Sequence, residues 1–190
     1  MYPELIVMRH GQTEWNLAGR WQGGLDSQLT EKGRDQAGAM GEILRREGIT
    51  AASHKTYVSP MGRTRETAEL ALGDGWARVE DTNLREIGVG GWEGWLVKDI
   101  ERAAGLPEEA TMFDYYSAAP DGEGFEALRE RVLGFLATLT GPSLLITHGM
   151  TSRMIRTLAT GRDLDRLDEL PGGQGVVFRL RDGNHEILTP

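Results

Sequence analysis

The chain contains no cysteine, no long apolar run and no tract of lysine or arginine, and each absence removes a class of function. Without cysteine there is no disulfide, no thiolate metal site and no cysteine nucleophile. The first apolar stretch, Leu5 to Met8, runs straight into Arg9 and His10 and is too short for a signal peptide or a membrane span, so a cytoplasmic protein is expected. With 29 acidic against 21 basic residues the formal charge is −8, which repels nucleic acid and membrane surfaces. A phosphorylated small molecule would be repelled as well, so a phosphate site has to win through a local cluster of cations. Internal repeats, linkers and low-complexity tracts are also missing. With 39% apolar residues over 190 positions, one core and a single domain over residues 1–190 are expected.

What is present alternates between two periodicities. Residues 3–8 and 143–147 are short β-branched or leucine-rich runs that read as buried strands, delivering Arg9-His10-Gly11 and His148-Gly149 at their carboxyl ends. A third strand fits 56–58 and ends at Ser59-Pro60. Helical spacing follows each: Ala37, Met40, Ile43 and Leu44 in a helix opened at Thr30 and closed by Gly48, then 63–72 and 151–160. Further helices are expected over 97–104 and 125–139, and a closing hairpin over 176–180 and 185–188. Residues 88–94 hold four glycines and a tryptophan and read as a loop near a ligand; residues 105–124 fit either a helical lid or a loop. The class is α/β, a three-layer sandwich with a mostly parallel central sheet flanked by helices, whose ligands bind beyond the carboxyl ends of the strands.

Both His10 and His148 fall at such ends. A neutral imidazole carries a free lone pair near neutral pH and can attack phosphorus unaided. Arg9 beside it can hold phosphate oxygens with a planar fork of donors. Phosphoryl transfer depends on cations and donors around the equatorial oxygens, and Arg63, at a strand-to-helix junction, and His148 are the further candidates. Arg65 should project into solvent. The leaving alkoxide needs a proton, which Glu86 at the head of the glycine-rich loop can supply; Glu14 is the rival. His54 and His185 read as structural, the stretch 172–175 as a turn, and Trp92 and Trp95 equally as pocket mouth or core.

Arg9-His10-Gly11-x-Thr13-x-x-Asn16 resembles the signature of the histidine phosphatase superfamily, also called the phosphoglycerate mutase-like family. The resemblance continues in order through Gln22-Gly23-x-x-Asp26-x-x-Leu29-Thr30-x-x-Gly33-x-x-Gln36-Ala37 and Ser59-Pro60-x-x-Arg63-Thr64-x-x-Thr67-Ala68. Leu84-x-Glu86-x-x-x-Gly90-x-Trp92-Glu93-Gly94 and Thr147-His148-Gly149 complete it. It implies a phosphohistidine intermediate on His10, a phosphoryl clamp of Arg9, Arg63 and His148, and Glu86 as proton donor. It further implies a phosphate pocket completed by Asn16, Gln22, Gly23 and Gly149, and no metal or cofactor. Two positions depart from the family pattern: Gly122-Glu123-Gly124 where many phosphatases have Gly-Glu-Ser, and Gln174 where an asparagine is frequent.

Three functions are compatible with these residues: a phosphomonoester hydrolase acting on a small phosphorylated metabolite, a mutase that returns the phosphoryl group to a sugar acid, and a phosphate-binding module. Length favours the first over the second, and the full catalytic set disfavours the third. Histidines and carboxylates at close ligand spacing are lacking, which disfavours a metal enzyme. The expected partner is a small phosphoester; the oligomeric state is open, a homodimer included.

Overall fold

The computed structural model describes residues 2–189. Its six-stranded sheet has the order β3-β2-β4-β1-β5-β6, built from β1 (Leu5–Arg9), β2 (Lys55–Val58), β3 (Arg78–Glu80), β4 (Ser143–Thr147), β5 (Val177–Arg181) and β6 (Asn184–Leu188). Strands β1 to β4 are parallel; β5 runs antiparallel to β1 and β6 to β5. The helices are α1 (Glu14–Leu17), α2 (Glu31–Arg46), α3 (Gly62–Leu72), α4 (Val97–Ala104), α5 (Met112–Ala118), α6 (Gly124–Leu136) and α7 (Gly149–Ala159). This is the α/β sandwich expected, with four parallel strands and helices on both faces.

Alternation along β1 shows how the layers form. Leu5 and Val7 point to one side, into a core with Leu128, Val132 and Phe135 of α6 and Met154 of α7. Ile6 and Met8 point to the other, against Met40, Ile43 and Leu44 of α2 and Ala68 and Ala71 of α3. Burial on both faces is why β1 reads as a continuous apolar run rather than an alternating one. A third, smaller cluster of Trp21, Val89, Trp92 and Ile100 lies under α4 and α5.

Several boundaries differ from the expectations for identifiable reasons. α6 ends at Leu136, although the stripe continues to Leu139, because Ala137 caps it and Leu139 is buried from the turn beyond. α7 starts at Gly149, directly at the strand tip. The hairpin turn is Asp182-Gly183, both at positive φ (52° and 76°), so β5 and β6 each gain a residue at the turn. α1 and β3 leave no mark in the sequence pattern; four and three residues are too few for a period to show. The open segment 105–124 contains the helix α5, whose Tyr115 and Tyr116 pack on the third cluster.

Candidate active site

Strands β2, β4 and β1 lie side by side and end together, with Val58 beside Ile146 and Arg9 beside Thr147. The amides of Ser59 and His10 still bond the β4 carbonyls of Ile146 and Thr147, each at 3.0 Å. Their side chains therefore leave the sheet at one place. The rings of His10 and His148 meet edge-on, 5.2 Å between centroids.

The proton on His10 can be assigned from its partner. Nδ1 is 2.7 Å from the Gly11 carbonyl oxygen, which can only accept, so Nδ1 carries the hydrogen and Nε2 keeps a lone pair. Burial pushes the pKa of His10 well below its ordinary value, with Arg9 and Arg63 acting in the same direction and the Gly11 carbonyl opposing. The ring is thus neutral at physiological pH, with Nε2 unprotonated.

Arg9 lies within the field of the Glu86 carboxylate without bonding it. Its Nε is buried and has no hydrogen-bond partner, and among the described residues Arg9 forms no ion pair. A buried guanidinium donor left unpaired is costly unless something occupies the space beside it. Arg63, 1% exposed, is instead held on all sides. Nε donates to His148 Nδ1 (3.1 Å), Nη1 to the Leu25 carbonyl (2.6 Å) and Asp26 Oδ1 (2.9 Å), and Nη2 to the Gly23 carbonyl (3.2 Å). Of the five guanidinium hydrogens, one on Nη2 remains free for a ligand among these contacts. Asp26 also accepts from the Gly62 and Arg63 amides at the start of α3, which fixes Arg63 from both ends.

His148 departs from the expected placement. It is fully buried, and both ring nitrogens are engaged: Nδ1 accepts from Arg63 Nε, so the proton lies on Nε2, 2.8 Å from Ser59 Oγ. Burial and the Arg63 charge push its pKa well below the usual value and keep it neutral. In this arrangement His148 presents no ring N–H to the cavity; it stands behind it and orients Arg63.

A cavity of about 70 Å³ is bounded by Arg9, His10, Asn16, Gln22, Gly23, Arg63 and Glu86, the predicted residues drawn from four separate blocks of sequence. Thr13-x-x-Asn16 proves to be a capping box for α1: Asn16 N–H donates to Thr13 Oγ1 and Thr13 N–H to Asn16 Oδ1. Gln174 Nε2 donates to the same Oδ1 (2.9 Å), which leaves the Nδ2 donors of Asn16, a residue lining the cavity, without a hydrogen-bond partner among these contacts. Gln22 is a brace, donating to Thr13 Oγ1 and accepting from Ser27 Oγ. Gly23 supplies its carbonyl to Arg63. Gly11 is required by contact: a Cβ there would lie 2.1 Å from the Gly33 carbonyl oxygen, and one on Gly33 would lie 2.0 Å from that of Gln12. The loop carrying His10 thus seats backbone to backbone on the first turn of α2.

Glu86 sits at the amino end of α7. Its Oε1 accepts from the amides of Ile87 and Thr151 and from Thr151 Oγ1, its Oε2 from the Met150 amide at 3.2 Å. These donors fix the carboxylate at the rim, and Gly149 packs against it: a Cβ there would lie 3.4 Å from both Glu86 Oε2 and Arg9 Cζ. Glu86, Arg9 and Tyr116 also line a second cavity of about 160 Å³, which includes Gly149. Tyr116, which sequence reasoning missed, stacks on Trp21 with centroids 4.4 Å apart. Burial, with the Glu86 charge, pushes its hydroxyl far above the ordinary range, so it remains a donor.

The remaining candidates lie elsewhere. Glu14 is exposed in the first turn of α1 and lines neither cavity. Arg65 is half exposed and pairs with Glu80, as expected of a solvent-facing arginine. His54 bonds its neighbour Ser53. His185 stacks on Phe178 and meets Arg156. Trp92 is core, and Trp95 is 43% exposed. Among the described residues no group of histidines and carboxylates could hold a metal ion, and no helix is long and apolar enough to cross a membrane. Asp26 and Ser59 are visible within the sequence blocks, but only the fold shows that they hold Arg63 and His148.

Comparison with known proteins identifies the family and the fold. The profile of the histidine phosphatase superfamily (branch 1) matches residues 5–187. A probable phosphoglycerate mutase GpmB of Salmonella arizonae is 36% identical over 154 residues, covering 77% of this chain and 70% of that protein. The glucosyl-3-phosphoglycerate phosphatase of Mycolicibacterium vanbaalenii is 32% identical over 196 residues, covering 95% and 84%. In fold, the chain is similar to the α-ribazole phosphatase of Shigella flexneri, with a TM-score of 0.82 at 24% identity over 98% of this chain and 96% of that one. The chain belongs to branch 1 of the histidine phosphatase superfamily.

Proposed function

We propose that this protein hydrolyses small phosphomonoesters by passing the phosphoryl group through His10. The observation that carries the reading is the fixed tautomer of His10, with Nδ1 on the Gly11 carbonyl and Nε2 free, beside the unpartnered Nε of Arg9. A phosphate entering the smaller cavity gives Arg9 the partner it lacks and takes the remaining Nη2 hydrogen of Arg63 and the Asn16 amide. These donors are already oriented before the substrate arrives, so little reorganisation opposes the transition state. His10 Nε2 attacks phosphorus, the P–O bond to the alcohol breaks, and Glu86 gives the departing oxygen a proton. A water then attacks the phosphohistidine, Glu86 takes back a proton, and inorganic phosphate leaves. His148 acts through Arg63 and is a positioning residue. No metal is required in this sequence of steps, and activity should survive a chelator.

The 36% identity to a probable phosphoglycerate mutase favours a second reading, in which an acceptor hydroxyl replaces water. Product analysis separates the two. With a phosphomonoester and excess glycerate, hydrolysis predicts stoichiometric inorganic phosphate and unaltered glycerate; phosphorylated glycerate as the main product would establish transfer instead.

A further inference from the structure

The larger of these two cavities, about 160 Å³, adjoins the proposed phosphoryl site on the leaving-group side, because Glu86, the proposed proton donor, forms a wall of both. Its far wall is the face of α7 that carries Arg153 and Arg156. Arg156 is 1% exposed, and its donors go to the Ser152 carbonyl and hydroxyl, the Pro171 carbonyl and His185 Nε2, all of them neutral. Its guanidinium lies 3.8 Å over the Phe178 ring. Arg153 Nη1 donates to the Leu170 carbonyl, with the carbonyls of Leu167 and Asp168 at 3.4 Å, and its Nη2 rests against Gly172, where a Cβ would come within 3.0 Å. Among the described residues neither arginine pairs with a carboxylate, in a chain whose acidic residues outnumber its basic ones by 29 to 21. Two adjacent cations, one fully buried and both hydrogen-bonded only to neutral groups, with the Asp168 charge acting on Arg153 from outside those bonds, are expensive unless an anion joins them. Burial, with Arg153 adding to it, already brings Arg156 down to about 9, so it remains charged at neutral pH.

We propose that Arg153 and Arg156 bind a second anionic group on the alcohol portion of the substrate, which makes the preferred substrate a small phosphomonoester carrying a carboxylate or a second phosphate. A cavity of about 160 Å³ leaves room for a short chain and its charged end. Met112 and Tyr116 of α5 close the cavity from above, so the lid segment sets the length of chain accepted. This inference rests on the hydrolase reading for the direction in which the substrate lies, and its test is arranged to fail separately.

Three probes share a three-carbon chain: propyl phosphate, the phosphate ester of 3-hydroxypropanoate, and propane-1,3-diol bisphosphate. Their binding is measured by calorimetry to the His10→Ala protein, in which no covalent step can occur. At least one doubly charged probe should bind about tenfold or more tightly than propyl phosphate, and which one identifies the anion. Adding Arg153→Gln should bring that ratio to within about twofold. Equal affinity for all three probes, or a ratio untouched by Arg153→Gln, overturns the assignment. Failure of the wild-type protein to cleave any of the three overturns the hydrolase reading instead.

Discussion

At the scale of single residues, the site is organised by what each polar atom can and cannot do. A carbonyl cannot donate, so His10 Nδ1 must, and the lone pair on Nε2 that the proposed attack uses is left free without a catalytic base. Arg63 has nearly all of its hydrogens committed, whereas Arg9 has a buried one to spare, so Arg63 is fixed in place with one Nη2 hydrogen open and Arg9 is the freer donor. Glu86 both ties the amino end of α7 to its own loop and stands at the rim of the cavity. Glu86→Gln separates a structural role from proton donation. A proton donor matters in proportion to the basicity of the leaving oxygen, so the variant should lose about 10²–10⁴-fold in kcat on an alkyl phosphate and far less on nitrophenyl phosphate. Equal losses on both esters would mean that Glu86 serves only to tie Ile87, Met150 and Thr151 together.

At the scale of elements, two glycines in α2 illustrate how packing overrides propensity. Alanine in a helix interior is favoured over glycine by up to about 1 kcal/mol. A methyl group added at Gly38 would meet nothing within 4 Å, so Gly38→Ala should stabilise the protein by up to that amount. At Gly33 the same change drives a Cβ to 2.0 Å from the Gln12 carbonyl oxygen, and overpacking of this kind costs about 1–3 kcal/mol, which exceeds the gain. Urea unfolding should therefore give opposite signs for the two variants, and Gly33→Ala should also lose the proposed phosphatase activity because Gln12 lies two residues beyond His10. A stabilised and fully active Gly33→Ala protein would show that the loop is not seated as described. The loop carrying Glu86 is tied down by other means: the Gly88 amide donates to Glu123, which pairs with Arg131 of α6. Glu123 can serve this purpose without the serine frequent at position 124 in related phosphatases.

At the scale of the whole molecule, the charge of −8 and an anionic substrate are reconciled by distance. Surface charges are screened beyond about 8 Å at physiological ionic strength, whereas Arg9, Arg63, Arg153 and Arg156 act within the cavities themselves. The sheet and the reactive cluster are legible in the sequence because buried parallel strands are short apolar runs and the groups at their tips follow immediately, as with Met8-Arg9-His10 and Thr147-His148. The substrate side is less legible. Arg153 and Arg156 fall on a helix that pattern alone defines only by its apolar face, and Tyr116 lies in a segment whose aromatic residues serve the lid cluster and the cavity at once. Sequence alone makes His148 a direct ligand, because its strand-tip position says nothing of how its ring is bonded to Arg63 and Ser59. The central claim is that His10 is a neutral nucleophile held ready by its surroundings, and rapid quench at about one pH unit below the ordinary histidine pKa tests it most directly, since about nine-tenths of exposed imidazole is protonated there. Because burial and two arginines depress the pKa of His10, phosphate from a labelled ester should still appear on His10 within the first turnover and be lost from a His10→Ala protein; label on another residue, or turnover with no labelled protein at all, would contradict the account.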